Sequence, residues 1–303
     1  MKKLWLTLSI LWMAFLQCQW YGEQQVLNEP CPFNAETLQF VGKPLDQARC
    51  LLRPVHPYGR LGRALKKLPH PLDSLIGKPV AMTVPQFRRY LMDQGIAETD
   101  LGGNLDVPLC RKWNNAPGAP TADYLVLHDT STPNYGNQPI PDNINTPEWP
   151  YNALQQWDQG EQAKAHVFIN RLGESLTAVD FATPWRATKL EVRVLGEKSR
   201  GMALHVELIQ PRQSDPNGPP GNDAIAPRPG FTDAQLQRLA LVYMAASIRK
   251  GQWLIPAYHA AFDAGIPDAH DDPQHFDLFR WATWLDEILK NIYQGTRSNS
   301  DAS

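Results

Sequence analysis

The sequence predicts an α/β fold in which a mixed central β-sheet is flanked by helices and preceded by a small, mainly helical N-terminal region. After residue 120, short apolar strand patterns alternate with helical patterns, and two amphipathic helices close the chain. Residues 19–118 instead carry apolar residues at helix-like spacing. Apolar residues make up 43% and charged residues 20% of the 303 residues, as in soluble globular proteins.

The start of the chain has the pattern of an export signal. Lys2 and Lys3 precede the largely apolar run Leu4–Leu16, which is too short to span a bilayer comfortably. We expect residues 1–18 to be a signal peptide and the mature protein to be periplasmic or associated with the cell envelope; a buried first helix is the alternative. Cys18 stands where a bacterial lipoprotein carries its acylated cysteine, so an outer-membrane lipid anchor competes with ordinary cleavage.

Cysteine usage and charge exclude some kinds of site. All four cysteines lie in the first third of the chain: Cys18, Cys31, Cys50 and Cys110. An exported protein can oxidise them, and Cys31 with Cys50 is the preferred disulfide because the two flank one short segment. No CxxC spacing supports a cysteine zinc site. The formal net charge of −2 and the absence of a basic run argue against nucleic acid as a partner.

Two helices are predicted in the N-terminal region, over residues 44–52 and 84–94, the second capped by Thr83. The segment 114–120 is rich in proline and glycine and indicates a boundary. We therefore expect an N-terminal region over 19–118 and a second domain over 119–293.

The sheet is predicted from four short segments that are apolar or alternate between apolar and polar residues. Their bounds are 124–128, 165–171, 175–179 and 203–209. The first of them ends on His128. In the last, His205 and Glu207 face away from the apolar side chains, because strand side chains alternate between two faces.

Two helices are predicted to close the domain. Thr232 and Gln235 form a capping box for the first, which Gly251 ends, and the second covers about 278–293. The small polar residues 294–303 predict a disordered tail. Between strand and helix, the loop 211–230 is rich in proline and glycine and is interpreted as a groove wall rather than an idle insertion.

Histidine and aspartate indicate a metal site. His128 alone is more often a structural residue at a strand end, so it needs partners. They occur downstream as His259 and in the run His270-Asp271-Asp272-Pro273. Imidazole and carboxylate ligands suit Zn²⁺, and three of them with an open water position are usual in catalytic zinc sites.

The motifs in order resemble one known family. They are Tyr124-Leu-Val-Leu-His128-Asp-Thr, Ala165-His-Val-Phe-Ile-Asn-Arg-Leu-Gly173, Leu204-His-Val-Glu207-Leu, His259 and Asp272-Pro273. This order is similar to the N-acetylmuramoyl-L-alanine amidase type 2 family, which includes the peptidoglycan recognition proteins and phage amidases. The resemblance covers about residues 120–290.

The resemblance implies a fold, a reaction and a set of roles. Zn²⁺ would be held by His128, His259 and Asp272, and Glu207 would be the catalytic glutamate. The domain over 119–293 would hydrolyse the amide bond between N-acetylmuramic acid and the L-alanine of the stem peptide in peptidoglycan or muropeptides. A non-catalytic peptidoglycan-binding module of the same fold is the alternative.

The sequence departs from the family in three places. His270 stands where the bacterial enzymes carry a lysine near the oxyanion, so only a protonated His270 would supply that charge, and activity would fall as the pH rises above its pKa. The spacing from His259 leaves Asp271 and Asp268 as alternatives to Asp272. Trp185-Arg186 replaces a Trp-His pair.

Other histidine and aromatic residues are expected to have structural roles or to line the groove. His166 is expected to be structural or to line the groove, and His205 to border the site without binding metal. Four aromatic residues would line a groove or serve packing: Trp149, Tyr151, Trp157 and Trp185. The N-terminal region is hypothesised to position the enzyme on the wall or on a partner.

Overall fold

The computed structural model describes residues 29–162 and 164–300. The expected signal peptide and Cys18 lie outside the described residues. Within the described ranges, the helices all fall short of the length or the apolar character needed to cross a membrane.

Strands and helices alternate along the described chain. The strands are β1 Phe33–Asn34, β2 Gln39–Phe40, β3 Val55–His56, β4 Arg60–Leu61, β5 Tyr124–Asp129, β6 Val167–Ile169, β7 Ser175–Thr177, β8 Ala203–Leu208 and β9 Ile255–Tyr258. The right-handed α-helices are α1 Pro44–Leu51, α2 Leu72–Leu75, α3 Val84–Asp93, α4 Asp233–Lys250, α5 His259–Phe262 and α6 Leu278–Ser300, and Lys112–Asn115 forms a single turn with positive φ at Trp113 and Asn114. A π-helical segment covers Leu190–Leu195.

The central sheet has five strands in the order β7-β6-β8-β5-β9. Strands β6, β8, β5 and β9 are parallel, and β7 is antiparallel to β6, so the predicted mixed α/β sheet is confirmed. His128 lies opposite Glu207, and Leu127 lies opposite Tyr258. Because the strands are parallel, the carboxyl ends of β5, β8 and β9 meet at one edge of the sheet, where ligand sites form in such folds.

The two closing helices follow their sequence signals, with one difference. Thr232 and Gln235 form the predicted capping box of α4, and Gly251 ends it with a φ of 75°. Helix α6 continues to Ser300 instead of ending near residue 293. No proline interrupts the polar residues of this stretch, which is compatible with a longer helix, and the disordered tail over 294–303 stays a prediction.

The N-terminal region is less helical than expected. The predicted helices over 44–52 and 84–94 are present as α1 and α3, and Thr83 caps α3 through a capping box. Elsewhere the chain forms two short hairpins, β1-β2 and β3-β4, and irregular turns. Prolines and glycines, frequent between residues 54 and 85, break regular structure there, so a mainly helical region is not confirmed.

The N-terminal region shares one hydrophobic cluster with the sheet. The ring of Phe40 contacts Tyr124 of β5 and Phe262 of α5, with centroid distances of 5.5 and 5.1 Å. The hydroxyl of Tyr124 accepts a hydrogen bond from the Phe40 N–H and donates one to Gln47 Oε1, each at 2.7 Å. A boundary at residues 118/119 stays a prediction, but both sides bury the same core.

The cysteines behave as their positions suggested. Cys31 and Cys50 form a disulfide, which confirms the preferred pairing. Cys110 is a free, buried thiol whose pKa is raised to about 12 by burial. A thiol with such a pKa is protonated at neutral pH and is a poor nucleophile or metal ligand.

Candidate metal centre

The candidate site forms at the carboxyl edge of the sheet. His128 lies near the end of β5, and Glu207 lies beside it near the end of β8. His259 begins α5 directly after β9. The loop before α6 brings in Asp272, whose Oδ2 accepts the Asp129 backbone N–H at 3.0 Å. Residues distant in the sequence therefore meet because parallel strands end together.

Three side chains converge on one point. His128 Nδ1 lies 2.9 Å from His259 Nδ1, and His259 Nδ1 lies 3.1 Å from Asp272 Oδ1. One ligand atom from each residue lies within 4.8 Å of the other two, and all three residues are buried. This group could bind a metal ion. Two imidazole nitrogens and one carboxylate oxygen match the donor set of catalytic Zn²⁺ sites.

The electrostatics of the group favour a cation at its centre. Burial lowers the pKa of His259, but Asp272 and Asp263 outweigh burial and raise it well above the usual value. Burial and the neighbouring His259 lower the pKa of His128 well below its usual value. His128 Nδ1 and His259 Nδ1 therefore lie close enough to share one positive charge, which either a proton or a metal ion can supply. The residues fit a divalent metal.

The structure separates Asp272 from the two competing aspartates. Asp271 Oδ1 lies 3.3 Å from Arg212 Nη1, and its Oδ2 accepts the Gln274 side-chain amide at 2.8 Å. Asp268 is largely exposed and lies 3.6 Å from Arg193. Only Asp272, among these three, belongs to the converging group.

Glu207 has the surroundings of a proton acceptor. It lies opposite His128 in the strand register and lines the same pocket. Its Oε2 is buried and has no hydrogen-bond partner among the described residues. Burial and the nearby Asp272 and Asp129 carboxylates raise the pKa of Glu207 well above its usual value. A metal cation in the group would oppose this rise and favour the carboxylate form.

His270 lines the pocket beside the candidate metal group. Its ring stacks on His259 at 4.6 Å between centroids, and its side chain is 54% exposed. Burial of the rest of the ring and the neighbouring charge of His259 lower the pKa of His270. The neutral ring is therefore favoured at neutral pH, and the protonated His270 that would supply a positive charge forms only at lower pH; the catalytic role of His270 stays a prediction.

A pocket of about 720 Å³ opens over the group. Trp157 and Trp185 line it, as two of the four aromatic predictions proposed. Trp149 is instead a core residue, 1% exposed. The loop 211–230 contributes Asp223 to the lining, in line with its interpretation as a groove wall. A volume of this size accommodates a small ligand or part of a larger one.

Several residues that support the ligands were missed from the sequence. Asp263, the C-cap of α5, contacts His259, and its spacing of four residues from His259 was an available signal. Glu191 contacts His205, but no local pattern links these residues. Arg212 is fully buried and pairs with Asp129 at 2.9 Å, which balances the acidic charge beside Asp272.

Comparisons with known proteins give little further information. No protein-family profile matches the chain. No curated protein sequence matches it either. Among solved structures, the chain is similar to a crystal structure of a selenomethionine derivative of AmpD, with a TM-score of 0.33, 22% sequence identity, and coverage of 61% of this chain and 98% of that chain. At this distance the likeness carries no weight for function, which rests on the residues.

Proposed function

We propose that the chain is a zinc-dependent N-acetylmuramoyl-L-alanine amidase that hydrolyses the amide bond between N-acetylmuramic acid and L-alanine in peptidoglycan. The observation that carries the proposal is the buried group of His128, His259 and Asp272 in a pocket that Glu207 also lines, with Glu207 Oε2 lacking a hydrogen-bond partner among the described residues. The order of motifs in the sequence supports the choice of substrate.

Each side chain has a role in this reaction. A zinc ion held by His128, His259 and Asp272 would supply Lewis-acid charge to the substrate carbonyl and acidify water. Glu207 accepts a proton from the attacking water and returns it to the L-alanine nitrogen as the C–N bond breaks. His270, neutral at the rim, donates a ring N–H to the developing oxyanion rather than a full charge.

The pocket lining suits a sugar-peptide substrate. Trp157 and Trp185 offer flat apolar faces. Lys164 and Lys189 line the same pocket. Ammonium groups in a pocket favour an anionic ligand, and stem peptides carry free carboxylates.

The decisive experiment uses purified protein, wall sacs and soluble muropeptides. The zinc-loaded protein is incubated with each substrate, and the products are identified by mass. We expect free stem peptides with an L-alanine N-terminus, and their loss after chelation and recovery on adding zinc. Glu207→Gln, which keeps the side-chain shape, is expected to bind zinc and to lower turnover by about 10²–10⁴-fold.

The same experiment tests the alternative of a non-catalytic binding module. A pure binder would retain wall fragments, release no stem peptide and purify with less than stoichiometric zinc. Release of stem peptides by zinc-loaded Glu207→Gln at the parent rate would remove Glu207 from the mechanism. Cleavage at another bond would overturn the choice of reaction.

Export is part of the proposal. The basic start and apolar run of residues 1–18 are the support for a periplasmic or envelope location, with a lipid anchor at Cys18 as the alternative to cleavage. Labelling with a radioactive fatty acid distinguishes the two, since Cys18→Ser removes label only from a lipoprotein.

A further inference from the structure

In each proposed ligand histidine, the ring nitrogen Nε2 contacts a buried side chain. His259 Nε2 lies 3.0 Å from Asp263 Oδ2. The same carboxylate accepts the backbone N–H groups of Lys189 and Leu190, at 2.9 and 2.8 Å. Asp263 is fully buried, so these donors fix its position.

His128 is held by a chain of two residues. Its Nε2 lies 3.1 Å from His205 Nδ1, and His205 Nε2 lies 3.2 Å from Glu191 Oε2. Glu191 Oε2 also accepts the backbone N–H groups of Ala187 and Thr188, each at 3.1 Å. Both His205 and Glu191 are fully buried.

The contacts favour one set of protonated ring nitrogens. His205 Nε2 has no hydrogen-bond partner among the described residues, but it faces the Glu191 carboxyl at 3.2 Å. A proton on this Nε2 is favoured because a lone pair there would face an oxygen lone pair, and it leaves His205 Nδ1 as a lone pair. That lone pair accepts only from a protonated His128 Nε2. By the same reasoning, Asp263 requires a proton on His259 Nε2. Both ligand rings can then present an unprotonated Nδ1 to a metal, and these are the two atoms that lie 2.9 Å apart.

We propose that Asp263 and the His205–Glu191 pair are positioning residues that hold His259 and His128 with Nε2 protonated and Nδ1 free to bind the metal. The proposal rests on the metal site of the proposed function and not on amide hydrolysis. Partners of this kind typically change metal affinity by about 10–100-fold when removed.

Two substitutions test the proposal by metal binding. His205→Phe keeps a buried ring and removes the acceptor for His128 Nε2. Asp263→Ala removes the acceptor for His259 Nε2. We expect each to raise the zinc dissociation constant by about 10–100-fold, measured by competition with a chelator and by cobalt titration followed in the visible spectrum.

Asp123→Asn is the matched control. Asp123 precedes β5, at the end opposite His128, and pairs with Lys112 and Lys250 at 2.6 and 2.9 Å. Its substitution weakens two largely buried ion pairs without touching the ligands. We expect a lower melting temperature and an unchanged zinc dissociation constant. An equal loss of zinc affinity in Asp123→Asn would show that the effect is only structural and would overturn the proposal.

Conservative replacement and spectroscopy sharpen the test. Glu191→Gln keeps an oxygen for His205 and the backbone N–H groups, so it should retain most of the zinc affinity that Glu191→Ala loses. In ¹⁵N-histidine spectra of the zinc-loaded protein, we expect metal at Nδ1 and a proton at Nε2 of both ligand histidines.

Two results would overturn the proposal while leaving the amidase reaction open. They are zinc dissociation constants within twofold of the parent in both His205→Phe and Asp263→Ala, and spectra with zinc at Nε2. Conversely, suppose that the parent protein binds zinc but releases no stem peptide, while His205→Phe and Asp263→Ala bind zinc more weakly than the parent. That result would support the positioning roles and reject the amidase reaction.

Discussion

His259 lies between two carboxylates, Asp263 at one ring nitrogen and Asp272 at the other. Although burial opposes it, this pair raises the pKa of His259 above its usual value, so the ring holds a proton over a wider range of pH when no metal is bound. A metal ion must displace that proton. Metal affinity therefore weakens as the pH falls.

The first prediction follows at this residue. Zinc binding to the parent protein should release about one proton, and the apparent dissociation constant should rise about tenfold for each pH unit below the raised pKa. Calorimetry in buffers of different ionisation enthalpy measures the number of protons. Binding that releases no proton and does not vary with pH would contradict the raised pKa.

The second prediction concerns His270. The pKa of His270 is lowered, so the ring loses its proton at a lower pH than an ordinary histidine and is neutral at pH 7. The activity above neutral pH should therefore not depend on the protonation of His270. We expect His270→Gln, which keeps an N–H donor, to lower kcat by less than about tenfold and to leave the pH profile above about pH 7 unchanged.

If kcat of the parent falls with rising pH and this fall is absent in His270→Gln, the protonated ring takes part in catalysis, as the sequence alone suggested. His270→Ala is the matched variant without a donor. It should lower kcat further than His270→Gln if the ring N–H contacts the oxyanion.

The three residues of the candidate metal group could be named from the sequence, whereas the residues that contact them from behind mostly could not. His128 ends an apolar run, and Asp272 precedes a proline in a recognisable order of motifs. Glu191 meets His205 only because the segment 187–195 folds against β8, and no spacing within the sequence encodes that contact. Three aspartates could compete for the third ligand in the sequence, whereas burial and Arg212 separate them in space.

At the scale of elements, the segment 187–195 connects the metal centre to the pocket. Its first residues donate backbone N–H groups to Glu191 and Asp263, the carboxylates behind the ligand histidines. Val192 and Arg193, further along, line the pocket and are exposed. Metal binding and the order of this pocket wall should therefore be coupled.

The third prediction measures this coupling by amide hydrogen exchange. Removing zinc should speed exchange at residues 187–190 by about tenfold, equivalent to about 1.4 kcal/mol of local opening free energy. The Val41 N–H, which donates to Pro32 in the β1-β2 hairpin, is the internal control and should not change. Equal exchange at 187–190 with and without zinc would show that the wall is independent of the metal.

Strand β9 was not predicted from the sequence. Its four residues include Pro256, which lacks a backbone donor and demotes a strand prediction. The structure places β9 at the edge of the sheet, where a proline is tolerated because only one side is paired. Helices α4 and α6 were predictable because their caps and apolar stripes are local signals, although the polar extension of α6 was not.

At the scale of the whole molecule, the N-terminal region and the sheet form one hydrophobic cluster. Phe40 is central to the connection, since it is 4% exposed and its ring contacts Phe33, Tyr124 and Phe262. Tyr124 begins strand β5, which carries His128 near its end, and Phe262 lies in the short helix that begins at His259. Loss of this packing should therefore reach the metal centre.

The fourth prediction is that Phe40→Ala lowers the free energy of unfolding by about 3–5 kcal/mol and destabilises the metal centre together with the N-terminal region. Denaturant unfolding of the cobalt-loaded protein is followed by tryptophan fluorescence and by cobalt absorption. Both signals should shift to lower denaturant concentration together. Val41→Ala is the control, since Val41 is 60% exposed and its substitution should change stability by less than about 0.5 kcal/mol. A shift in fluorescence with cobalt absorption unmoved would mean that residues 29–118 unfold separately, and that the shared cluster does not stabilise the metal centre.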